Sequence, residues 1–407
     1  MTSSHRPPIR MEQTSEDQNV TTLELFFDLV FVFALTQITA LMADHLTVHG
    51  VVRGVLLVGL LWWSWIGYAW LCNLVRADEG GVRLVLLAAM TTMFVLALGI
   101  PEAFDDLPGG LPGPVVIAVC YFAFRTVHLV LFWIISREDP VLRRQLIRFT
   151  PSMLGGTTLL LVASQFDGTA QTLWWAAALL ADYGGTLLAG SRGWRLRSPG
   201  HFSERFGLIL IVALGESIVA IGVGVAALPL SWSIVVAAVL GLTVCAGLWW
   251  IYFDVTALHA EHAFATAEPL RQVRLARDGY TYLHFPMMTG IVLLALGLKK
   301  VLAYAGDTEH HLDDPLHGVG LWCLFAGVAV YLLGHVAFKW VMVRTLSIGR
   351  LVGAAAMLVA VPLVGEVRAI GQLGVLAALT VGLVCYELLR YAAQREEVRH
   401  GSGEATY

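Results

Sequence analysis

Long apolar stretches alternate with short charged ones between residues 21 and 390. A helix of about 20 mainly apolar residues is long enough to cross a hydrocarbon core, where every backbone polar group must be satisfied within the segment. The pattern predicts twelve such helices, at 21–42, 50–71, 82–101, 114–136, 151–166, 172–190, 205–226, 231–252, 280–298, 318–340, 351–366 and 371–390. The fifth opens at Pro151 and the eleventh ends near Pro362, and these two are the shortest. The fold class expected is therefore all-α and polytopic.

Composition agrees. Of 407 residues, 57% are hydrophobic and 14% charged, whereas soluble domains carry about 25% charged residues. The net charge of −4 gives no reason to expect a nucleic-acid partner. Cys72, Cys120, Cys245, Cys323 and Cys385 all lie in or beside apolar segments without a CxxC pair, which reads as packing rather than a disulfide framework. Residues 1–20 are polar, so no cleavable signal peptide is expected and the first span is read as its own insertion signal.

Arginine supplies the orientation. With a cytoplasmic N-terminus, the inside loops hold Arg76, Arg83, Arg137, Arg143, Arg144, Arg148, Arg192, Arg195, Arg197, Arg205, Arg271, Arg274, Arg277, Arg344 and Arg350. The outside loops hold only Arg53, Lys299, Lys300 and Arg368, together with acids such as Asp105 and Asp313. That bias places both termini inside and requires an even number of spans.

Two halves are also expected. His128, Trp133, Arg137 and Arg143 recur at the same spacing as His335, Trp340, Arg344 and Arg350. Glu24 and Phe26 open the first span as Glu204 and Phe206 open the seventh, and Leu61-Trp62-Trp63 matches Leu248-Trp249-Trp250. Six helices per half imply a parallel repeat about an axis along the membrane normal. The division expected is a polar segment 1–20, halves 21–190 and 205–390 joined by a basic linker 191–204, and a tail 391–407.

Ionisable groups inside the spans are the candidates for chemistry, because each costs about 2.5–3.5 kcal/mol at a helix centre on insertion scales. Glu24 and Asp28 share one face of the first helix, and Arg125 and His128 share one face of the fourth. Asp182, Glu216 and His335 fall at comparable depth. Pairing of Asp28 with Arg125 or His128, and of Glu216 with His335, is expected, since an unpaired charge in lipid is not tolerated. Buried ion pairs that fix helix packing explain these residues as well as proton-exchanging groups do. Glu24 also reads as a helix cap. The Trp62-Trp63-Ser64-Trp65 and Trp249-Trp250-Ile251-Tyr252 runs are expected to face lipid or the interface, with walls of a substrate pathway as the alternative. Gly207, Gly215 and Gly222 suggest a close helix contact. His310, His311 and His317 in an outside loop, and His259 and His262 inside, read as solvated loops rather than metal sites. No Walker A, HExxH or GxSxG string is present, so neither a cofactor nor an enzymatic activity is expected.

Thr22-Leu23-Glu24-Leu25-Phe26-Phe27-Asp28-Leu29-Val30-Phe31-Val32 resembles the first-helix signature of the bacterial low temperature requirement protein A (LtrA) family. Glu204-Arg205-Phe206-Gly207-Leu208, continuing to Leu214-Gly215-Glu216-Ser217-Ile218, resembles its second. The resemblance implies a bacterial integral membrane protein of the inner membrane and identifies no substrate.

The function expected is a secondary transporter or permease, with proton coupling as one option, embedded in the lipid bilayer and handling an unspecified small ion or solute. Its pathway residues would be Asp28, Glu216, Arg125, His128, His335, Glu24, Glu204 and Asp182. The alternatives are a non-transporting membrane scaffold or sensor supporting growth in the cold, and a membrane-embedded lipid-modifying enzyme.

Overall fold

The computed structural model describes residues 18–226, 228–307 and 313–390. Every extended element among them is a helix. In chain order these are α1 (Thr22–Asp44), α2 (Val48–Cys72), α3 (Gly80–Leu98), α4 (Gly113–Ile135), α5 (Pro140–Ala163), α6 (Gly168–Ala189), α7 (Pro199–Val225), α8 (Trp232–Phe253), α9 (Thr256–Ala265) and α10 (Pro269–Leu275). A π-helical turn (Ala276–Tyr282) then leads into α11 (Leu283–Gly306), followed by α12 (Gly318–Val343), α13 (Ile348–Leu363) and α14 (Ala369–Arg390).

Among the described residues, ten helices are long and apolar enough to cross a membrane, the stretch Pro269–Gly306 counting as one. The burial pattern has the sense that lipid demands. In α1 the acids Glu24 and Asp28 are buried, while Leu25, Phe26 and Leu29 are exposed. Polar groups turned inward and large apolar groups turned outward would be ruinous in water and are stable in hydrocarbon. The chain is a multi-pass membrane protein.

Hydropathy misplaces some helix starts that capping chemistry explains. The helix expected from Pro151 begins at Pro140. Asp139 accepts the backbone N–H groups of Val141 and Leu142, both at 3.0 Å, and Pro140 stands at the first helical position, where a missing N–H costs nothing. Arg143, Arg144 and Arg148 lower the hydropathy of these first turns, and Pro151 lies within the helix. Likewise α7 begins at Pro199 rather than 205. Ser198 Oγ accepts the His201 N–H at 3.2 Å, and Ser198 O accepts the Phe202 N–H at 3.1 Å.

The chain divides into two compact units. The first comprises Met1–Ile38, Leu56–Arg205 and Glu268–Arg274; the second comprises Thr39–Val55, Phe206–Ala267 and Leu275–Tyr407. In the first unit α2 is buried throughout 57–72, so its aromatic run faces protein. Trp62, Trp63 and Trp65 are 3%, 3% and 1% exposed, which overturns their expected lipid-facing position. Trp63 stacks on Tyr183 of α6 with ring centres 4.1 Å apart. In the second unit Trp249 is exposed.

The close glycine contact of the second unit is not the one expected on α7. A Cβ at Gly215 or Gly222 would meet nothing within 4 Å. A Cβ at Gly290 of α11 would lie 2.5 Å from the carbonyl of Gly327 on α12, and one at Gly327 would lie 2.6 Å from Leu294 N. This pair is where two backbones touch, and α7 approaches α11 at Gly224, where a Cβ would lie 3.1 Å from the Lys299 carbonyl oxygen.

Candidate functional site

The N-terminus of α1 carries a capping box. Thr21 N and Thr21 Oγ1 both donate to Glu24 Oε2 at 2.9 Å, and Glu24 N donates to Thr21 Oγ1 at 3.3 Å. This reciprocal arrangement satisfies orphan donors of the first turn. The same carboxylate has a second partner. His201 Nε2 of α7 lies 3.1 Å from Glu24 Oε1 and 3.2 Å from Oε2, and Arg205 Nε is 3.7 Å from Oε1.

One turn further along α1, Asp28 is gripped end-on. Arg205 Nη1 donates to Oδ2 at 3.1 Å and Nη2 to Oδ1 at 3.0 Å. Trp65 Nε1 of α2 adds a third bond, to Oδ1 at 2.8 Å, while its ring stands 5.2 Å from the guanidinium. Glu24, Asp28, His201, Arg205 and Trp65 are each no more than 2% exposed. Both i,i+4 pairs follow from helical geometry, Glu24 with Asp28 on α1 and His201 with Arg205 on α7. Below them Asn73 holds the entry to α7, donating to Ser198 O at 2.6 Å and accepting Arg197 N at 2.8 Å.

The expected partner of Asp28 is therefore corrected. Arg125 instead donates through Nη2 to Asp182 Oδ1 of α6 at 3.1 Å, and Tyr121, one turn before it on α4, donates its hydroxyl to Asp182 Oδ2. The guanidinium lies 5.1 Å from the Phe149 ring centre. His128 turns to α2, its Nε2 lying 3.0 Å from the carbonyl oxygen of Gly67. A Cβ at Gly67 would stand 3.0 Å from that nitrogen, so the glycine permits the approach. The physical reason is that α7 starts at Pro199, so Arg205, which hydropathy leaves at the edge of its span, lies inside a helix and reaches Asp28.

In the second unit Glu216 is buried on α7. The partner found at His335 is Arg350 rather than Glu216, with Nη1 lying 2.5 Å from Nδ1. Arg350 Nε and Nη2 form a fork on Glu387 of α14 at 2.6 and 2.8 Å. Nη2 also donates to Ile251 O and Nη1 to Thr256 Oγ1, each at 3.1 Å. All five N–H groups are thus engaged. The guanidinium ties α13 to α8, α9, α12 and α14. Nearby, Tyr252 Oη lies 2.9 Å from His284 Nε2, and His284 Nδ1 lies 3.3 Å from Gly279 O in the π-helical turn. The matched strings of the two halves do not make matched contacts: Arg143 sits over the Trp133 ring at 4.4 Å, whereas Arg350 bonds His335.

Glu204 is exposed and accepts Val20 N at 3.0 Å, apart from the buried sets. His310 and His311 lie outside the described residues. Among the described residues, no group of three or more His, Cys, Asp or Glu side chains is placed to hold a metal ion. Sequence reasoning missed His201, Arg205, Tyr121, Trp65, Arg350 and Glu387 as members of these sets. The Ser198-Pro199 cap was the available signal for the first two.

Comparison with known proteins adds a family. The model of the bacterial low temperature requirement A protein (LtrA) matches residues 19–385. An uncharacterized protein of Rhizobium meliloti (strain 1021) is 31% identical over 315 residues, covering 75% of this chain and 74% of its own. No solved structure matches.

Proposed function

This chain belongs to the bacterial low temperature requirement A family, and from that premise we propose that it is a proton-coupled secondary transporter or permease of the bacterial inner membrane. In this reading α6 and α13 join the ten long apolar helices to make twelve spans. Both termini are cytoplasmic, and the halves form a parallel repeat. The arginine bias and the recurring strings support these finer features. The reading carries no catalytic step.

One observation carries it: the buried set of Glu24, Asp28, His201 and Arg205. Two carboxylates face one guanidinium and one imidazole. With neutral imidazole the set bears one excess negative charge; with one more proton it is neutral. An uncompensated charge away from water costs several kcal/mol. One exchangeable proton added to the set would cancel that charge. His201 Nδ1, buried and without a partner among the described residues, is the atom free to take it. A proton acceptor built from two helices at the entry to the spans is what coupling requires.

The test is a reconstituted vesicle with a lumenal pH dye, screened across small ions and metabolites. The expected result is solute-dependent proton movement that Glu24→Gln abolishes. A normally inserted protein that moves neither proton nor solute would overturn it. Such a result would favour the second reading, a non-transporting scaffold or bilayer sensor. That reading is supported by Arg350, whose five donors are all bound to neighbouring helices.

A further inference from the structure

The Arg125 centre, unlike the Arg350 centre, is incompletely satisfied. The Arg205 centre also leaves Arg205 Nε and His201 Nδ1 without a hydrogen bond among the described residues, but there Arg205 Nε lies 3.7 Å from the Glu24 carboxylate. Arg205 is bidentate on Asp28, and Arg350 uses every donor. Arg125 makes a single bond to Asp182, because Tyr121 occupies the other carboxylate oxygen. Its Nε is buried with no partner among the described residues, and so is Nδ1 of His128. These residues are 1% and 3% exposed and stand three apart on one face of α4.

The two atoms are complementary. His128 Nε2 faces a carbonyl, so in the neutral ring it carries the hydrogen and Nδ1 is left as an acceptor. Arg125 Nε is a donor. A buried donor and a buried acceptor left open about one turn apart on α4 are each costly, by about 1–3 kcal/mol. Around them are rings: Tyr68 lies 5.5 Å and Phe132 5.0 Å from the imidazole, and Phe149 lies against the guanidinium.

Charge selects the ligand. Arg125 and Asp182 already neutralise each other. An anion entering alone would add an uncompensated negative charge, whereas an anion arriving with a proton would not. The single imidazole can take up one proton, which balances a monoanion but not the two charges of a phosphate, and the aromatic surround suits an apolar remainder. We propose that Arg125 and His128 form the binding site for a small monocarboxylic acid, taken up as carboxylate plus proton. In the bound state the acid's O–H bond breaks, its proton resides on His128 Nδ1, and its electron pair stays on the carboxylate. One carboxylate oxygen then accepts the Arg125 Nε–H. The groups that face this proton are Arg125 and Tyr121 on the same helix, Tyr68 from α2 and Asp182 from α6. This inference deepens the transport reading and rests on it for its purpose, by naming the solute class.

The test is equilibrium binding of labelled pyruvate and labelled benzoate to the full-length protein in lipid nanodiscs. Proton uptake is followed in weakly buffered solution at about pH 7, where a neutral imidazole is available. The expected result is saturable binding of at least one probe with one proton taken up per anion, a count that needs no variant. Arg125→Lys keeps a cation for Asp182 but replaces the Nε–H; it should weaken binding about tenfold or more, and His128→Gln should abolish the proton uptake. Absence of saturable binding, binding without proton uptake, or binding indifferent to both variants would overturn the proposal; the first is what a bound water at these atoms predicts, the last a site elsewhere. Binding without any vesicle flux would retain this site and overturn transport. Proton-coupled flux of another solute, with no acid bound, would overturn this site alone.

Discussion

Three variants of the Asp28–Arg205 pair separate scaffolding from function. Arg205→Gln removes the guanidinium that touches both Asp28 and Glu24, leaving the first with Trp65 and the second with His201 and Thr21 among the described residues. Loss of one partner from a buried ion pair costs about 3–5 kcal/mol. Asp28→Asn is milder, because Arg205 keeps Glu24 at 3.7 Å and the amide oxygen still accepts the Trp65 N–H. The loss there is one charge-assisted interaction, about 1.5–3 kcal/mol. The paired change Asp28→Leu with Arg205→Met removes both charges at similar volume, and replacements of that kind are neutral or stabilising by about 1–4 kcal/mol. The double variant should therefore be more stable than Arg205→Gln by about 3 kcal/mol or more.

Membrane proteins unfold irreversibly on heating, so the readout is the half-life of monodisperse protein at fixed temperature, followed by size exclusion. The reasoning is refuted if Asp28→Asn shortens that half-life as much as Arg205→Gln, or if the double variant is no better than Arg205→Gln. The same double variant, once folded, tests the role of the pair. If proton movement in vesicles survives, Asp28 and Arg205 are a cross-link, and coupling rests on Glu24 and His201. If it is lost from a stable protein, the pair is part of the pathway.

Tyr121→Phe deletes the hydroxyl that Asp182 accepts and should cost about 1.5–3 kcal/mol, a bond to a charged group, seen as a shortened half-life in the same assay. Gly327→Ala places a methyl 2.6 Å from the α11 backbone and should destabilise strongly, whereas Gly222→Ala meets nothing within 4 Å and should be neutral or stabilising by up to about 1 kcal/mol. Asp139→Ala removes the cap of α5 and should cost about 1 kcal/mol near neutral pH; its half-exposed bridge to Arg195 adds less than about 1 kcal/mol. The hydrogen bond from Arg195 holds the Asp139 carboxyl below its ordinary value of 3.8. Its contribution is thus present above that value and lost as pH falls through the lower folded one, so wild type and variant should converge in acid.

What the sequence made legible was burial; what it hid was azimuth. Hydropathy and helical rise located Glu24, Asp28, Arg125, His128, Asp182, Glu216 and His335, and all seven are buried. Which helix faces which is not encoded in a spacing along one helix. Asp28 accordingly lay as close to Arg125 as to any other cation until α7 was seen to begin at Pro199. The aromatic run failed for the same reason: Trp62, Trp63 and Trp65 read as anchors from their type, but α2 is enclosed by its neighbours.

The arginines show where the ambiguity lies. Arg205 and Arg350 were counted with the cytoplasmic loops because hydropathy opens their spans at or after them, yet they are 1% and 4% exposed and anchor the ion-pair sets. Moving both out of the loop tally leaves Arg76, Arg83, Arg137, Arg143, Arg144 and Arg148 among others in the loops expected to be cytoplasmic, so the proposed orientation does not depend on either. The site argument does not. A guanidinium one turn beyond a cap can dock on a carboxylate from another helix, and its removal from water is repaid only by such a partner. Helix starts set by Ser198-Pro199 and Asp139-Pro140, rather than by the first apolar residue, are therefore the boundaries from which buried cations in a chain of this kind should be sought.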